Sequence, residues 1–136
     1  MTRPASKHPT ELELEILKIL WREPGVPVRR VREVLADGRD LAYTSVMTVM
    51  NIMVDKGYLT RKKNGNGYVY EPKITRESTT RRMLRDTVNR LFDGSVSAAV
   101  VHLLDEGELS ENEMRELQKL VRGKKEKRSW MAISLP

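Results

Sequence analysis

Leu41-Ala42-Tyr43-Thr44-Ser45-Val46-Met47-Thr48-Val49-Met50-Asn51-Ile52-Met53-Val54-Asp55-Lys56-Gly57-Tyr58-Leu59-Thr60-Arg61-Lys62-Lys63-Asn64-Gly65-Asn66-Gly67-Tyr68-Val69-Tyr70-Glu71-Pro72 changes its hydrophobic period half-way along. In the first part Val46, Val49, Met50 and Met53 recur at i, i+3, i+4 and i+7, the stripe of a helix that turns one face to a core. Ser45, Thr48, Asn51, Ile52 and Asp55 are left on or beside the outward face. Gly57 stands where a left-handed C-cap is favoured, and Tyr58-Leu59-Thr60 can then leave as a strand. Asn64-Gly65 is a hairpin signal, and Tyr68-Val69-Tyr70 is the return strand that Pro72 ends. A helix with small polar residues outward, followed at once by a basic hairpin, predicts a recognition helix and a wing.

The residues upstream supply the rest of such a unit. Thr10-x-x-Glu13 is a capping box, in which each side chain satisfies a backbone N–H of the other, so the first helix begins there. Leu12, Ile16, Leu17, Ile19 and Leu20 give its apolar stripe, and Pro24-Gly25 ends it just after Trp21. Val28 to Leu35 forms a second, short helix with Val31, Val34 and Leu35 apolar and Pro27 near its start, where a missing N–H costs nothing. Asp37-Gly38 marks the turn into the third helix. The fold expected is mainly α: an N-terminal winged helix-turn-helix of three helices plus a two-stranded wing, over residues 1–75.

From Thr75 the pattern is helical throughout. Apolar positions fall at Met83, Leu84, Val88, Leu91 and Phe92; at Val96, Val100, Leu103 and Leu104; and at Leu109, Met114, Leu117, Leu120 and Val121. Breaks fall at Asp93-Gly94 and near Glu106-Gly107, and Ser110-x-x-Glu113 is a second capping box. Three short helices with few aromatic residues cannot build a generous core alone. Twofold pairing would bury the shared apolar face, so 76–122 is expected to be a small helical dimerisation domain built on Met83, Val88, Leu91, Phe92, Val96, Val100, Leu104, Leu117 and Leu120. Beyond Gly123 the run Lys124-Lys125-Glu126-Lys127-Arg128 reads as a basic, frayed tail, 123–136, with no structure assigned from Trp130 onward.

Composition narrows the chemistry. Hydrophobic residues make up 39% of the chain and charged residues 32%, yet no uninterrupted internal apolar stretch is longer than that from Ala98 to Val101, which is far too short for a membrane span. Arg3 and Lys7 have no apolar region behind them, so no secretory signal is read and a cytoplasmic address is expected. The absence of cysteine removes disulfides and thiolate chemistry, and His8 and His102 stand far apart without a companion set of ligands, so no metal and no cofactor are expected. No nucleophile, base and orienter set is visible either, which argues against an enzyme. The net charge of +6 is uneven. Residues 1–75 hold 13 Lys/Arg against 9 Asp/Glu, residues 76–122 hold 8 against 9, and the tail holds 4 against 1. The surplus thus lies in the proposed reading unit and the tail, as phosphate binding requires.

Major-groove readout needs small hydrogen-bonding groups or methyls near the start of a helix. Tyr43, Thr44, Ser45 and Thr48 fit, with Asn51 a turn further on; Thr44 or Ser45 could instead cap the helix. Arg61, Lys62 and Lys63 on the hairpin, with Asn66 at its tip, suit phosphate or minor-groove contact. Gly65-Asn66-Gly67 lacks the strand-to-helix setting of a phosphate loop and is read as hairpin glycine chemistry. The expected partner is double-stranded DNA. The alternative is a winged helix used as a protein–protein interaction module without operator binding.

These residues resemble the penicillinase-repressor family (BlaI/MecI/CopY type) of bacterial transcriptional regulators, across roughly Pro9 to Val121. Pro9-Thr10-Glu11-Leu12-Glu13 with Ile16-Leu17-Lys18-Ile19-Leu20-Trp21 looks like the family's opening helix. Leu41 to Thr48, Asp55 to Leu59 and Tyr68 to Pro72 look like its recognition helix and wing, and Leu91-Phe92-Asp93-Gly94-Ser95 like the start of its dimerisation region. The resemblance implies a homodimeric repressor on a palindromic operator, controlling β-lactam resistance or other stress genes. In the better-known branch the signal of a membrane metalloprotease sensor leads to cleavage inside the dimerisation helices. In staphylococcal members the bond lies between Asn and Phe in Leu-Val-Leu-Asn-Phe; the aligned run here is Ala99-Val100-Val101-His102-Leu103, which puts the corresponding bond at His102-Leu103. The copper-responsive branch carries a C-terminal cysteine cluster that this chain lacks, which argues against direct copper sensing. Ile52 and Asn66 stand where the family often carries arginines, and Arg61, Lys62 and Lys63 are the neighbours that could compensate.

Overall fold

The computed structural model describes residues 8–107 and 109–134. The order of elements is α1 (Glu11–Arg22), α2 (Val28–Leu35), α3 (Tyr43–Asp55), β1 (Leu59–Asn64), β2 (Gly67–Pro72), α4 (Arg76–Leu91), α5 (Val96–Asp105) and α6 (Glu111–Ser134). The first five make a winged helix-turn-helix, as the sequence indicates. Contacts divide the chain into two units after Asp86, inside α4.

In the first unit the capping box at the start of α1 is complete: the Glu13 N–H donates to Thr10 Oγ1 at 3.2 Å, and the Thr10 N–H donates to Glu13 Oε1 at 2.8 Å. Ile16, Leu17 and Leu20 of α1 meet Val31 of α2, Val46, Met50 and Met53 of α3, Leu59 of β1 and Tyr70 of β2 in one buried cluster. The stripe read from the sequence is therefore the core-facing stripe, with Val49 packed at its margin.

The exit from α3 decides where the wing starts. Lys56 is the C-cap, Gly57 takes φ +84°, the Gly57 N–H donates to the Val54 carbonyl at 3.0 Å and the Tyr58 N–H to the Met53 carbonyl at 2.9 Å. This is the paired closure that a left-handed residue permits, and it needs glycine because a Cβ would be strained there. β1 and β2 pair antiparallel with Arg61 opposite Tyr70, Lys62 opposite Val69 and Lys63 opposite Tyr68. Asn64 pairs with Gly67, so the central turn residues are Gly65, at φ +62°, and Asn66. The hairpin is where the sequence puts it, but the turn sits one residue later than Asn64-Gly65. A glycine alone at positive φ in the first central position is the glycine-first primed turn, which leaves Asn64 in the ladder. The Gly25 N–H donates to the Tyr70 carbonyl at 3.0 Å and the Tyr70 N–H to the Val26 carbonyl at 2.9 Å, so the segment between α1 and α2 forms a further bridge on β2.

Past β2 the chain stays tied to the first unit. The Lys73 N–H donates to the Tyr58 carbonyl at 2.8 Å, Trp21 Nε1 donates to the Ile74 carbonyl at 2.9 Å, Ile74 packs on the core and Thr79 of α4 is buried.

In the second unit the bend at Asp93-Gly94 follows the expected break, with Asp93 at φ +50°. Ser95 caps α5 by accepting the Ala98 N–H at 3.1 Å, and Ser110 accepts the Glu113 N–H at 3.2 Å at the start of α6. No described residue of α5 is buried, and Leu91, Val96, Leu103, Leu120 and Val121 are all more than 60% exposed. The tail from Gly123, expected to be frayed, is instead helical through Ser134. Lysine, glutamate and arginine are good helix formers, and a single interior glycine costs only about 1 kcal/mol, so Gly123 does not stop α6.

Candidate nucleic-acid interface

α3 starts at Tyr43 with Ala42 as its N-cap and no side-chain cap hydrogen bond, so Thr44 and Ser45 do not serve as caps. Tyr43, Thr44, Ser45, Thr48 and Ile52 are exposed along one side of the helix, and Met47 is half-buried beside them. Thr48 Oγ1 donates to the Thr44 carbonyl at 2.8 Å, which turns the hydroxyl proton into the helix and leaves the oxygen free to accept.

The wing presents Arg61, Lys62, Lys63 and Asn66, all exposed. Alternation along β1 puts Arg61 and Lys63 on one face with their cross-strand partners Tyr70 and Tyr68, and Lys62 on the other. The Arg61 guanidinium lies over the Tyr68 ring, 4.8 Å from its centroid, a contact worth about 0.5–1 kcal/mol at an exposed site. Arg61 Nη1 also donates to Asn51 Oδ1 at 3.0 Å, and the hydroxyl of the buried Tyr70 donates to the same oxygen at 3.0 Å. Asn51 therefore ties α3 to both strands of the wing through polar contacts. Period-2 alternation could have put Arg61 and Tyr70 on one face, but only the packed α3 brings Asn51 to them.

Two further features are beyond sequence reading. Glu13, 3% exposed, takes a salt bridge from Lys56 Nζ at 2.9 Å, which joins the start of α1 to the end of α3. On α2, Arg30 is occupied by Glu23 at 2.9 Å and Glu33 at 3.4 Å; its hydrogen bond holds the Glu23 carboxyl below the usual glutamate range. Arg32 Nε instead donates to the Leu41 carbonyl at 2.9 Å, fixing the turn that leads into α3. Arg29 and Arg32 line an open groove of about 280 Å³ with Glu33, Asp40 and Leu41.

The chain matches the family described as Penicillinase repressor over residues 9–123. The chain belongs to the penicillinase repressor family. It is 33% identical over 97 residues to the Transcriptional regulator BlaI of Mycobacterium tuberculosis, covering 70% of each chain. It is 24% identical over 112 residues to the Penicillinase repressor of Bacillus licheniformis, covering 82% of this chain and 88% of that one. Among solved structures, the DNA-binding domain of the repressor BlaI in solution is similar with a TM-score of 0.46 at 26% identity, covering 53% of this chain and 90% of that one.

Of the residues expected to pair two copies, Met83, Val88 and Phe92 are half-buried, while Leu91, Val96, Val100, Leu104, Leu117 and Leu120 are exposed. His102 and Leu103 lie inside α5, both exposed; the His102 ring stands 5.9 Å from that of Phe92, and its Nε2 is 3.9 Å from Glu106 Oε1. His8 lies in the first unit with Nε2 3.4 Å from Asp86 Oδ2. Among the described residues no group of three or more His, Cys, Asp or Glu could hold a metal ion, and no helix is long and apolar enough to cross a membrane.

Proposed function

We propose that the chain is a cytoplasmic transcriptional repressor that binds a palindromic DNA operator as a homodimer, α3 of each protomer entering successive major grooves. The observation that carries this reading is the continuous surface of small polar side chains on α3, Tyr43, Thr44, Ser45 and Thr48, beside a hairpin with three exposed cations. Tyr43, Thr44, Ser45, Thr48 and Asn51 face base edges; Lys62, Lys63, the free edge of Arg61 and Asn66 face the sugar-phosphate backbone. Residues 1–75 read DNA, 76–122 pair the protomers through the exposed apolar side chains of α4, α5 and α6, and the basic 123–136 adds sequence-independent attraction. The role is binding rather than catalysis. Its relatives' names support it: a transcriptional regulator and a penicillinase repressor.

Release follows an upstream signal, from a β-lactam or another stress, through a membrane metalloprotease sensor. The bond His102-Leu103 lies within α5, so a protease reaching it would first have to unwind that helix. A gel shift at physiological salt with the promoter upstream of its own operon tests the reading. A shifted band that outlasts excess nonspecific duplex is expected; a chain that shifts no duplex would be a protein-interaction module instead.

A further inference from the structure

We propose that Asn51 reads a guanine as a pure hydrogen-bond donor, and that Arg61 and Tyr70 set this polarity by occupying both lone pairs of its side-chain oxygen. The proposal rests on the DNA-binding reading above and specifies what one residue of α3 recognises.

A guanidinium has donors only, so the amide atom facing Arg61 Nη1 at 3.0 Å must be Oδ1. The Tyr70 hydroxyl donates to that same atom at 3.0 Å. Neither donor is loosely held. Tyr70 is buried, and its backbone N–H and carbonyl are bonded to Val26 and Gly25; Arg61 is its partner across the hairpin and rests on the Tyr68 ring. A carbonyl oxygen has two lone pairs, and both are taken. What Asn51 has left to offer is Nδ2 with its two N–H groups. It lies about 10 Å along α3 from Thr44, on the half-buried edge of the outward row.

The usual asparagine contact with adenine needs both ends of the amide, Oδ1 accepting from N6–H and Nδ2 donating to N7. Here the accepting end is spent, and the amino group of adenine would be set against an N–H. Cytosine offers an amino group too. Guanine offers two adjacent acceptors, N7 and O6, matched to two donors on one nitrogen. Tyr70 and Arg61 are thus positioning residues that act on sequence choice through Asn51.

The test uses the whole 136-residue chain. Selection from a random-sequence duplex pool by wild type and by Asn51→Ala identifies the base pair whose preference Asn51 controls. Wild type is then titrated against duplexes with guanine, adenine or 7-deazaguanine at that position. Guanine is expected to bind at least about fivefold tighter than adenine, and 7-deazaguanine, which lacks the N7 acceptor, to lose part of that advantage. Tyr70→Phe returns one lone pair to Oδ1 and is expected to shrink the guanine-to-adenine ratio several-fold; a merely structural role would weaken all duplexes alike and leave the ratio unmoved. Adenine preferred by wild type, no position altered in Asn51→Ala, or an unmoved ratio in a folded Tyr70→Phe would each overturn the proposal. Should Tyr70→Phe fold poorly, equal binding of guanine and 7-deazaguanine by wild type would overturn it alone. A pool from which no duplex is recovered overturns the DNA-binding reading itself, an outcome distinct from recovery of duplexes with the wrong base.

Discussion

Glu13 shows how one side chain can serve two elements. It closes the capping box of α1 and meets the Lys56 ammonium at the C-cap of α3. Only the first role was legible in the sequence, because the spacing Thr10-x-x-Glu13 is local; the second joins residues 43 positions apart and needs the fold. Losing a buried partner leaves the other charge poorly solvated, so Glu13→Ala is expected to destabilise the chain by about 2–3 kcal/mol in urea unfolding, with Lys56 partly exposed moderating the loss. A change below about 1 kcal/mol would show that the pair is dispensable. Glu23 makes a smaller statement. Its carboxyl is held low first by the hydrogen bond from Arg30, so its contribution is present at neutral pH and lost as pH falls through the depressed folded value. Arg30→Ala should return the NMR titration of Glu23 to the ordinary glutamate range.

At the scale of elements, α1, α2, α3 and the wing were legible because each has its own punctuation: a capping box, Pro27, Gly57 and the glycine-rich hairpin. The shift of the turn to Gly65-Asn66 was not, since Asn64-Gly65 and Gly65-Asn66 are both acceptable turn pairs and either leaves Tyr68 and Tyr70 on the same face of the hairpin. Nor was the division of labour on the wing. Lys62 and Lys63 are free of the α3 contact that Arg61 makes. Replacing Arg61, Lys62 and Lys63 together with alanine should weaken binding to every duplex and flatten the slope of log K against log salt by roughly 2–3, about 0.9 per lost phosphate contact. Thr48→Ala should instead lower the preference for the operator with the slope retained. An unchanged slope in the triple variant would remove the wing from the phosphate interface.

For the whole molecule, the sequence showed a reading unit followed by helices with too little core of their own. The exposed Leu91, Val96, Leu103, Leu120 and Val121 agree with that shortage. The extent of the first unit was harder to see. No periodicity announces that Ile74 belongs to the core or that its carbonyl receives the Trp21 indole N–H. A fragment ending at Pro72 is therefore expected to melt about 5 °C or more below one ending at Asp86. Sedimentation equilibrium should find the 1–86 fragment monomeric and the full chain dimeric; a dimeric fragment would move the pairing surface into the first unit.

Two copies of the α3-and-wing surface are proposed to read DNA together. Hydroxyl-radical footprinting of the full chain on the tightest duplex recovered from a random pool, at physiological salt, tests it most directly. Two protected half-sites, related by a twofold axis and centred one or more helical turns apart, are predicted. A single unrepeated patch, or no protection at saturating protein, would contradict it.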